Sequence, residues 1–465
     1  MSRTTQQHRS HTKIILIAVA AALGGFLFGF DTAVINGAVD ALKSSFNLSA
    51  GLTGFVVSSA LLGCVVGAWF SGPIANKYGR IRVMVIAAVL FAASGVGSGL
   101  AFGAGDFIIW RIVGGMGIGA ASVIGPAYIS EVSPTHIRGR LVSIQALAGV
   151  TGIAVALFSD SMLAAWANGA GEILWLGLEA WRWMFLVGSI PAVVYLGTSL
   201  RIPESPRFLV AVGKAQEAAI VLREYTKVAD VERKIADIKD SLAADHKVRL
   251  SDIRGKAWGL APIVWVGMAL AAFQQFVGIN VIFYYSTTLW KSVGFGESEA
   301  FLITTLTSLV NIAVTVVSMA LIDRIGRRPL LLMGSIGMAV SLGTMALCFA
   351  TANHTLTGAV ELTGIWGPVA LVAANLFVVF FGMTWGPVMW VMLGEMFPNR
   401  IRASAMAVTV SVNWVANFAV SASFPAMAAF SLSWSYGLYA LCALISFFVV
   451  KHWVRETNAV DLESM

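Results

Sequence analysis

This chain is short of charge. Lys, Arg, Asp and Glu supply 12% of its 465 residues, about half the share of soluble globular domains. That deficit excludes a water-soluble fold with an ordinary polar surface. Cysteine is scarce too: Cys64, Cys348 and Cys442 all fall inside apolar stretches. Three such thiols make neither a disulfide framework nor a metal set. No nucleophile–base grouping and no cofactor fingerprint is legible. An enzyme is therefore not expected, and neither is a cofactor or a metal. The alternating pattern that a membrane β-barrel needs is also missing.

What is present is apolar sequence. Hydrophobic residues make up 58% of the chain and the mean hydropathy is +0.80. A crossing helix needs ~20 mostly apolar residues. Twelve stretches qualify, at roughly 14–36, 51–71, 83–105, 107–130, 141–161, 183–200, 258–290, 301–322, 330–352, 365–394, 403–428 and 432–450. The predicted fold is an all-α membrane protein of twelve transmembrane helices. The first stretch exceeds the apolar core of a signal peptide and carries Asp31, so it is expected to be retained. The net charge of +7 needs no nucleic acid to explain it. With the N-terminus in the cytoplasm, 27 of the 31 Lys and Arg residues face that side. Lys43, Arg182 and Lys291 remain outside and Arg111 lies in the membrane. The positive-inside rule then places both termini in the cytoplasm, with the chain crossing the cell (inner) membrane.

Two motifs recur. Glu131-Val-Ser-Pro134 with Arg138 matches Glu395-Met-Phe-Pro398 with Arg402, and Gly79-Arg80 matches Gly326-Arg327. The pattern predicts two six-helix halves, 1–203 and 258–465, joined by a cytoplasmic linker over 204–257 that holds short helices. In a two-half carrier the substrate site lies at mid-membrane and access alternates as the halves rock. The recurrent motifs all fall on the cytoplasmic side. Their Arg forks and carboxylates suit a gate that pairs in one state and parts in the other, although plain positive-inside anchoring would also place basic residues there.

Two ionisable residues stand alone in membrane-length stretches, Asp31 and Arg111. A charge at membrane depth costs roughly 2.5–3.5 kcal/mol on insertion scales, so such residues are usually paired and functional. Counting from the apolar boundaries puts Asp31 about five residues and Arg111 about four from the outer ends of helices 1 and 4, that is ~6–8 Å. Equal depth predicts an ion pair that a proton opens and closes. A static salt bridge pinning two helices is the competing reading.

Further segments carry a resemblance: Gly24-Gly25-Phe-Leu-Phe28-Gly29-Phe30-Asp31, Arg111 heading a Gly-rich helix, Pro203-Glu204-Ser205-Pro206-Arg207, Gln274-Gln275-Phe-Val-Gly278-Ile-Asn280 with Tyr284-Tyr285, Asp323-Arg324-Ile-Gly326-Arg327-Arg328, and Gly386-Pro387-Val-Met-Trp390 leading to Glu395. Over nearly its whole length the chain resembles the sugar porter family of the major facilitator superfamily, and especially its bacterial proton-coupled xylose and glucose symporters. The resemblance implies rocker-switch alternating access, a monosaccharide and protons as substrates, Asp31 and Arg111 as the coupling pair, and function as a monomer in the bilayer. It implies sugar contacts at Phe28, Gln145, Gln274, Gln275, Asn280, Tyr284, Asn311, Trp390 and Asn413. It implies a cytoplasmic gate of Arg80, Glu131, Arg138, Glu204, Arg207, Asp323, Arg327, Glu395, Arg402 and Glu456. The chemistry agrees, since amides donate and accept as sugar hydroxyls do, and an indole offers a ring face and a donor edge.

Three departures stand out. The family's Gln on helix 5 falls at Ala146, one residue after Gln145. Asn76 replaces the acid of the first cytoplasmic motif. Of the family's C-terminal motif only Glu456 and Thr457 remain. A facilitative sugar or polyol uniporter is the alternative within transport, with drug efflux a more distant one. A non-transporting membrane sugar sensor is the alternative of another class, disfavoured by the short tail after the last span.

Overall fold

The computed structural model describes residues 3–133, 138–226, 230–244, 253, 255, 259–354, 360–362, 364–398 and 401–457. Twelve crossings in it are long and apolar enough to span a membrane, which makes this a multi-pass membrane protein. The first six are α1 (Arg3–Ser45), α2 (Ala50–Tyr78), α3 (Arg80–Gly99), α4 (Ala104–Val132), α5 (Arg138–Ala167) and α6 (Ala180–Ser199). A linker follows with α7 (Pro206–Ala211), α8 (Ala215–Val221) and α9 (Val231–Ala244). The last six crossings comprise α10 (Pro262–Phe276) with α11 (Ile279–Ser292), α12 (Glu297–Ile325), α13 (Arg327–Ala350), α14 (Trp366–Met383) with α15 (Trp385–Met396), α16 (Arg402–Phe430) and α17 (Leu432–Trp453). Two small antiparallel hairpins, β1–β2 (Ile173–Trp175, Leu178–Glu179) and β3–β4 (Asn353–His354, Val360–Glu361), sit between α5 and α6 and between α13 and α14.

Two crossings are broken, each for a local chemical reason. Between α10 and α11 the chain turns through Gly278 in the left-handed region, at φ 80°, which glycine enters without a Cβ penalty. Between α14 and α15 it breaks at Thr384. Pro387 has no N–H for the carbonyl four residues back, that of Met383. The Ser318 hydroxyl donates to that carbonyl instead, at 2.9 Å. A carbonyl freed at membrane depth needs such a partner.

The helices form two compact units that interleave along the chain. One comprises Met1–Asp31, Gly63–Gly152 and Phe185–Lys247; the other comprises Thr32–Leu62, Ile153–Met184 and Val248–Met465. These limits are not the sequence halves expected at 203 and 258, because parts of α1, α2 and α5 pack with the later helices. The side where α1 joins α2 is called the first-loop side below; the opposite side carries the linker.

Within the second unit the first-loop side is laced by polar contacts. Asn36 donates to the Phe283 carbonyl (2.9 Å) and accepts from the Thr287 N–H (3.0 Å). Asp40 accepts from the Thr288 hydroxyl (3.0 Å) and pairs with Lys291 (2.9 Å), which also reaches Glu297 (3.5 Å). Glu297 in turn accepts from the Ala170 N–H at 3.0 Å. At Gly54 of α2 an added Cβ would strike the Ala422 backbone of α16. The linker helices hold a small core of their own, with Leu209, Val210, Ala218 and Val221 under Ile235, Ile238 and Leu242.

Helix ends correct two expectations. The first crossing continues to Ser45, well past the apolar boundary near residue 36, because Asp40 finds partners. Asp31 therefore lies fourteen residues from that end, ~21 Å, and Arg111 seven from the start of α4, ~10 Å. The distances counted from the sequence were too short, yet the two residues meet at one level, since their side chains pair. The fifth crossing likewise runs to Ala167, past the boundary near 161.

Candidate functional site

In the first unit, glycines bring α1, α2 and α4 together around one ion pair. Added Cβ atoms at Gly63 and Gly67 would meet the backbone at Ile112 and Met116, and one at Gly119 would meet that of Cys64. Such close helix approach is what small residues permit in membranes. At this crossing Arg111 Nη1 donates to Asp31 Oδ1. Asp31 is 7% and Arg111 2% exposed. The guanidinium carbon lies 5.6 Å from the Phe185 ring centre, close enough for a cation–π contact. Arg111 Nε is buried with no hydrogen-bond partner among the described residues. The pair is thus made, but the cation is incompletely satisfied.

The second unit gathers amides at the break between α10 and α11. Gln274 donates to the carbonyls of Trp385 (3.0 Å) and Gly386 (3.2 Å). Gln275 donates to Gln274 Oε1 (3.3 Å) and Asn413 Oδ1 (3.1 Å). Asn413 donates to Gln274 Oε1 (2.8 Å) and to the Ala271 carbonyl (3.0 Å). Asn280 donates to Gln275 Oε1 at 2.7 Å. Four residues expected to face a sugar are therefore joined in one network that links both broken crossings. Asn311 and Tyr284 are buried, and Trp390 is 39% exposed. Asn311 Oδ1 lies beside Gly382, 3.2 Å from where a Cβ would stand.

Two of the expected sugar contacts belong to the first unit. Phe28 is half-buried on α1. Gln145 is wedged between α1 and α4: Cβ atoms at Gly25 and Gly125 would stand 2.9 Å and 2.5 Å from its side chain. Its Oε1 is buried with no hydrogen-bond partner among the described residues.

The expected gate residues form two clusters on one plan. Gly79 and Gly326 both have φ near +100° (100° and 96°), and each precedes a helix that it cannot cap with a side chain. A distant glutamate caps instead. Glu204 accepts from the N–H groups of Arg80 (3.0 Å) and Ile81 (3.2 Å). Glu456 accepts from those of Arg327 and Arg328, both at 3.0 Å. Carboxylates are favoured at such helix starts. Arg80 pairs with Glu131 (2.9 Å) and Arg327 with Glu395 (2.9 Å). Ser205 bonds Glu131, and Thr457 bonds Glu395 at 2.5 Å. The partners named for each cluster share one unit. Arg207 reaches Ser241 of the linker at 3.3 Å, and Arg402 donates to the Phe397 carbonyl at 3.1 Å. The side chains of Arg138 and Asp323 lie outside the described residues.

Sequence reasoning missed several participants. Trp385 is fully buried, anchors the start of α15 by donating to the Leu331 carbonyl (3.0 Å), and offers its own carbonyl to Gln274. Pro387, two residues on, was the available signal for that break. Asp160 of α5 is completely buried; it lay at the rim of an apolar stretch whose end was set too early. The latch of Asn36, Asp40, Lys291 and Glu297 reads in sequence as ordinary helix-end polarity.

Comparison with known proteins places this architecture. The profile of the family described as "Sugar (and other) transporter" matches residues 17–465. The glucose transport protein of Synechocystis sp. is 52% identical, covering 100% of this chain and 99% of that one. The D-xylose-proton symporter of Escherichia coli is 37% identical, over 99% of this chain and 96% of its own. Among solved structures, the xylose transporter XylE from E. coli in its inward open conformation superposes with a TM-score of 0.82 at 35% identity, covering 97% of this chain and 98% of that one. Fold, motifs and likeness agree over nearly the full length, and the chain belongs to the sugar porter family of the major facilitator superfamily, a family of transporters and not of enzymes.

Proposed function

We propose that this protein is a proton-coupled symporter that carries a monosaccharide, a hexose or pentose such as glucose or xylose, into the cell. The observation that carries the reading is the buried Asp31–Arg111 pair with its unpartnered Nε. Protonation of Asp31 removes the charge that holds Arg111, and the incompletely bonded guanidinium can then rearrange. Each proton that moves inward gains about 2.3 kcal/mol per 100 mV, sufficient for roughly fifty-fold sugar accumulation. The relatives named as a glucose transport protein and a D-xylose-proton symporter support this assignment. In this reading the chain works as a monomer in the cytoplasmic membrane with both termini inside. Residues 1–203 and 258–465 act as the moving halves, 204–257 as their cytoplasmic linker. The first-loop side faces the exterior, closed in this state by the Asn36–Asp40–Lys291 latch.

Sugar is held by Gln274, Gln275, Asn280, Asn311 and Asn413, with Phe28, Gln145, Tyr284 and Trp390 completing the lining. The Arg80–Glu131–Glu204 and Arg327–Glu395–Glu456 clusters, with Arg138, Arg207, Asp323 and Arg402, form the cytoplasmic gate. A facilitative uniporter would instead keep Asp31 and Arg111 paired throughout. Uptake of labelled glucose, xylose and a panel of other monosaccharides into proteoliposomes separates the two. Symport requires accumulation under an imposed proton gradient that a protonophore collapses. Equilibration alone, unaffected by the protonophore, would replace symport by uniport.

A further inference from the structure

The connection between α5 and α6 is poorly made for water. Between Glu172 and Glu179 it reads Ile-Leu-Trp-Leu-Gly-Leu, with no charged side chain. These residues form the β1–β2 hairpin, in which Trp175 pairs with Leu178 across a two-residue turn. Their apolar side chains point outward: Leu176 is 89%, Ile173 67% and Trp175 46% exposed.

The turn itself departs from the usual chemistry. Leu176 has φ 56° and Gly177 φ 74°. A two-residue hairpin turn with positive φ at both central positions ordinarily takes Asn or Asp before Gly. A leucine is strained in the left-handed region, where the short polar side chains are not. Here leucine holds that place at the tip of the hairpin. Asn would be both easier to turn and easier to hydrate.

The hairpin is held firmly at its base. Ser45, at the end of α1, donates to Glu179 at 3.0 Å. Glu179 also accepts from Trp181 Nε1 (2.7 Å) and pairs with Arg182 (3.2 Å). The Ala170 N–H, just before the hairpin, is held by Glu297 of α12. Trp175 stands between Trp166 of α5 and Trp183 of α6, with ring centres 5.7 Å and 5.4 Å apart. Trp183 Nε1 donates to the Trp175 carbonyl at 3.2 Å.

Trp166 joins the hairpin to a lipid-facing surface. Val155, Phe158, Met162 and Trp166 are exposed on α5, at intervals of three and four residues, so they share one face of the helix. They lie within the fifth crossing, and an exposed apolar face of a crossing meets acyl chains. Through the Trp166–Trp175 contact that face runs on into the hairpin. Trp166 is in the last turn of α5, where tryptophan is favoured at a membrane boundary.

We propose that the β1–β2 hairpin is an interfacial anchor, with Ile173, Trp175 and Leu176 entering the headgroup–acyl boundary of the leaflet on the first-loop side. The partner is phospholipid, because the exposed patch is continuous with the lipid face of α5. Interfacial amphipathic segments lie about 5–10 Å into that boundary. This anchoring follows from the crossings alone and is independent of what the protein carries.

The test uses the full chain with its native cysteines replaced by serine, reconstituted in phosphatidylcholine–phosphatidylglycerol vesicles. A nitroxide is attached through Leu176→Cys and, in separate proteins, through Ile173→Cys, Phe158→Cys and Lys43→Cys. Power-saturation electron paramagnetic resonance compares collisions with oxygen, which concentrates in the bilayer, and with a water-soluble nickel chelate. Phe158 on the face of α5 marks lipid, and Lys43, exposed at the end of α1, marks water. The oxygen-to-nickel ratio at Leu176 should stand severalfold above that at Lys43 and approach that at Phe158. Ile173 gives the same reading should the Leu176 variant fail to fold. A ratio like that of Lys43 puts the hairpin in water and overturns the proposal. Poor access of both reagents also overturns it, because the tip is then covered by protein; double electron–electron resonance between labels on two copies would identify a second chain as the cover.

Discussion

At the scale of single residues, the chain separates a charge switch from a hydrogen-bonding surface. Asp31→Asn keeps the shape of the protonated acid and removes its charge. It should abolish gradient-driven accumulation while retaining sugar counterflow, both measured on monodisperse protein in liposomes. A mutant that still concentrates sugar would remove Asp31 from the coupling step. Gln275→Ala deletes the donor to Gln274 and Asn413 and the acceptor for Asn280. Each bond from this amide to a sugar hydroxyl is worth about 1 kcal/mol, so losing one or two should lower sugar affinity about five- to thirty-fold in equilibrium binding, and the loss of its bonds within the protein should also lower the melting temperature. Unaltered affinity would detach this amide from the sugar site. Asp31 and Arg111 were legible because each is the single charge in a long apolar run. Asp160 was not, since one apolar boundary drawn six residues early turned a buried acid into a rim residue. The Gln145 environment was also beyond reach: only packing reveals that Gly25 and Gly125 enclose it.

At the scale of elements, helix starts and helix breaks carry the design. The starts of α3 and α13 are capped from a distance by Glu204 and Glu456, because Gly79 and Gly326 have no side chain to do it. Gly326→Ala would force an alanine to φ 96° and place its Cβ 2.9 Å from Glu456 Oε2. Strain of this kind costs about 1–3 kcal/mol, so thermal melting in detergent should drop by several degrees. Glu456→Gln keeps an acceptor while losing the favourable charge, worth about 0.3–1 kcal/mol at a helix start, and should melt between wild type and Gly326→Ala. The reverse order would contradict the capping account. The sequence showed the repeated Gly-Arg and Glu-x-x-Pro motifs plainly. It did not show that Glu204-Ser205 and Glu456-Thr457 do the same job, since their flanking residues differ. Breaks were legible in part: Gly278 and Pro387 were visible, but the Ser318 hydroxyl that heals the second break comes from another helix.

At the scale of the whole molecule, twelve crossings were legible from hydropathy alone, because bilayer thickness fixes helix length. The partition of contacts was not. Repeats report ancestry of sequence, whereas packing depends on which ends of the helices meet in a given state. One close approach tests that packing. Gly54→Leu inserts a branched side chain where the Ala422 backbone lies against α2. It should halt net transport yet leave purified protein able to bind sugar, as read by equilibrium dialysis. Normal transport by this variant would show that α2 and α16 need not meet during the cycle. A carrier must also make its return journey unladen. The mutual bonding of Gln274, Gln275, Asn280 and Asn413 means that the vacant protein presents few bare amides to an apolar surround. Cargo then exchanges one set of bonds for another, so loading should release little heat and unloading should be quick. A strongly exothermic titration with sugar would argue that the ring is not the ground state from which loading begins.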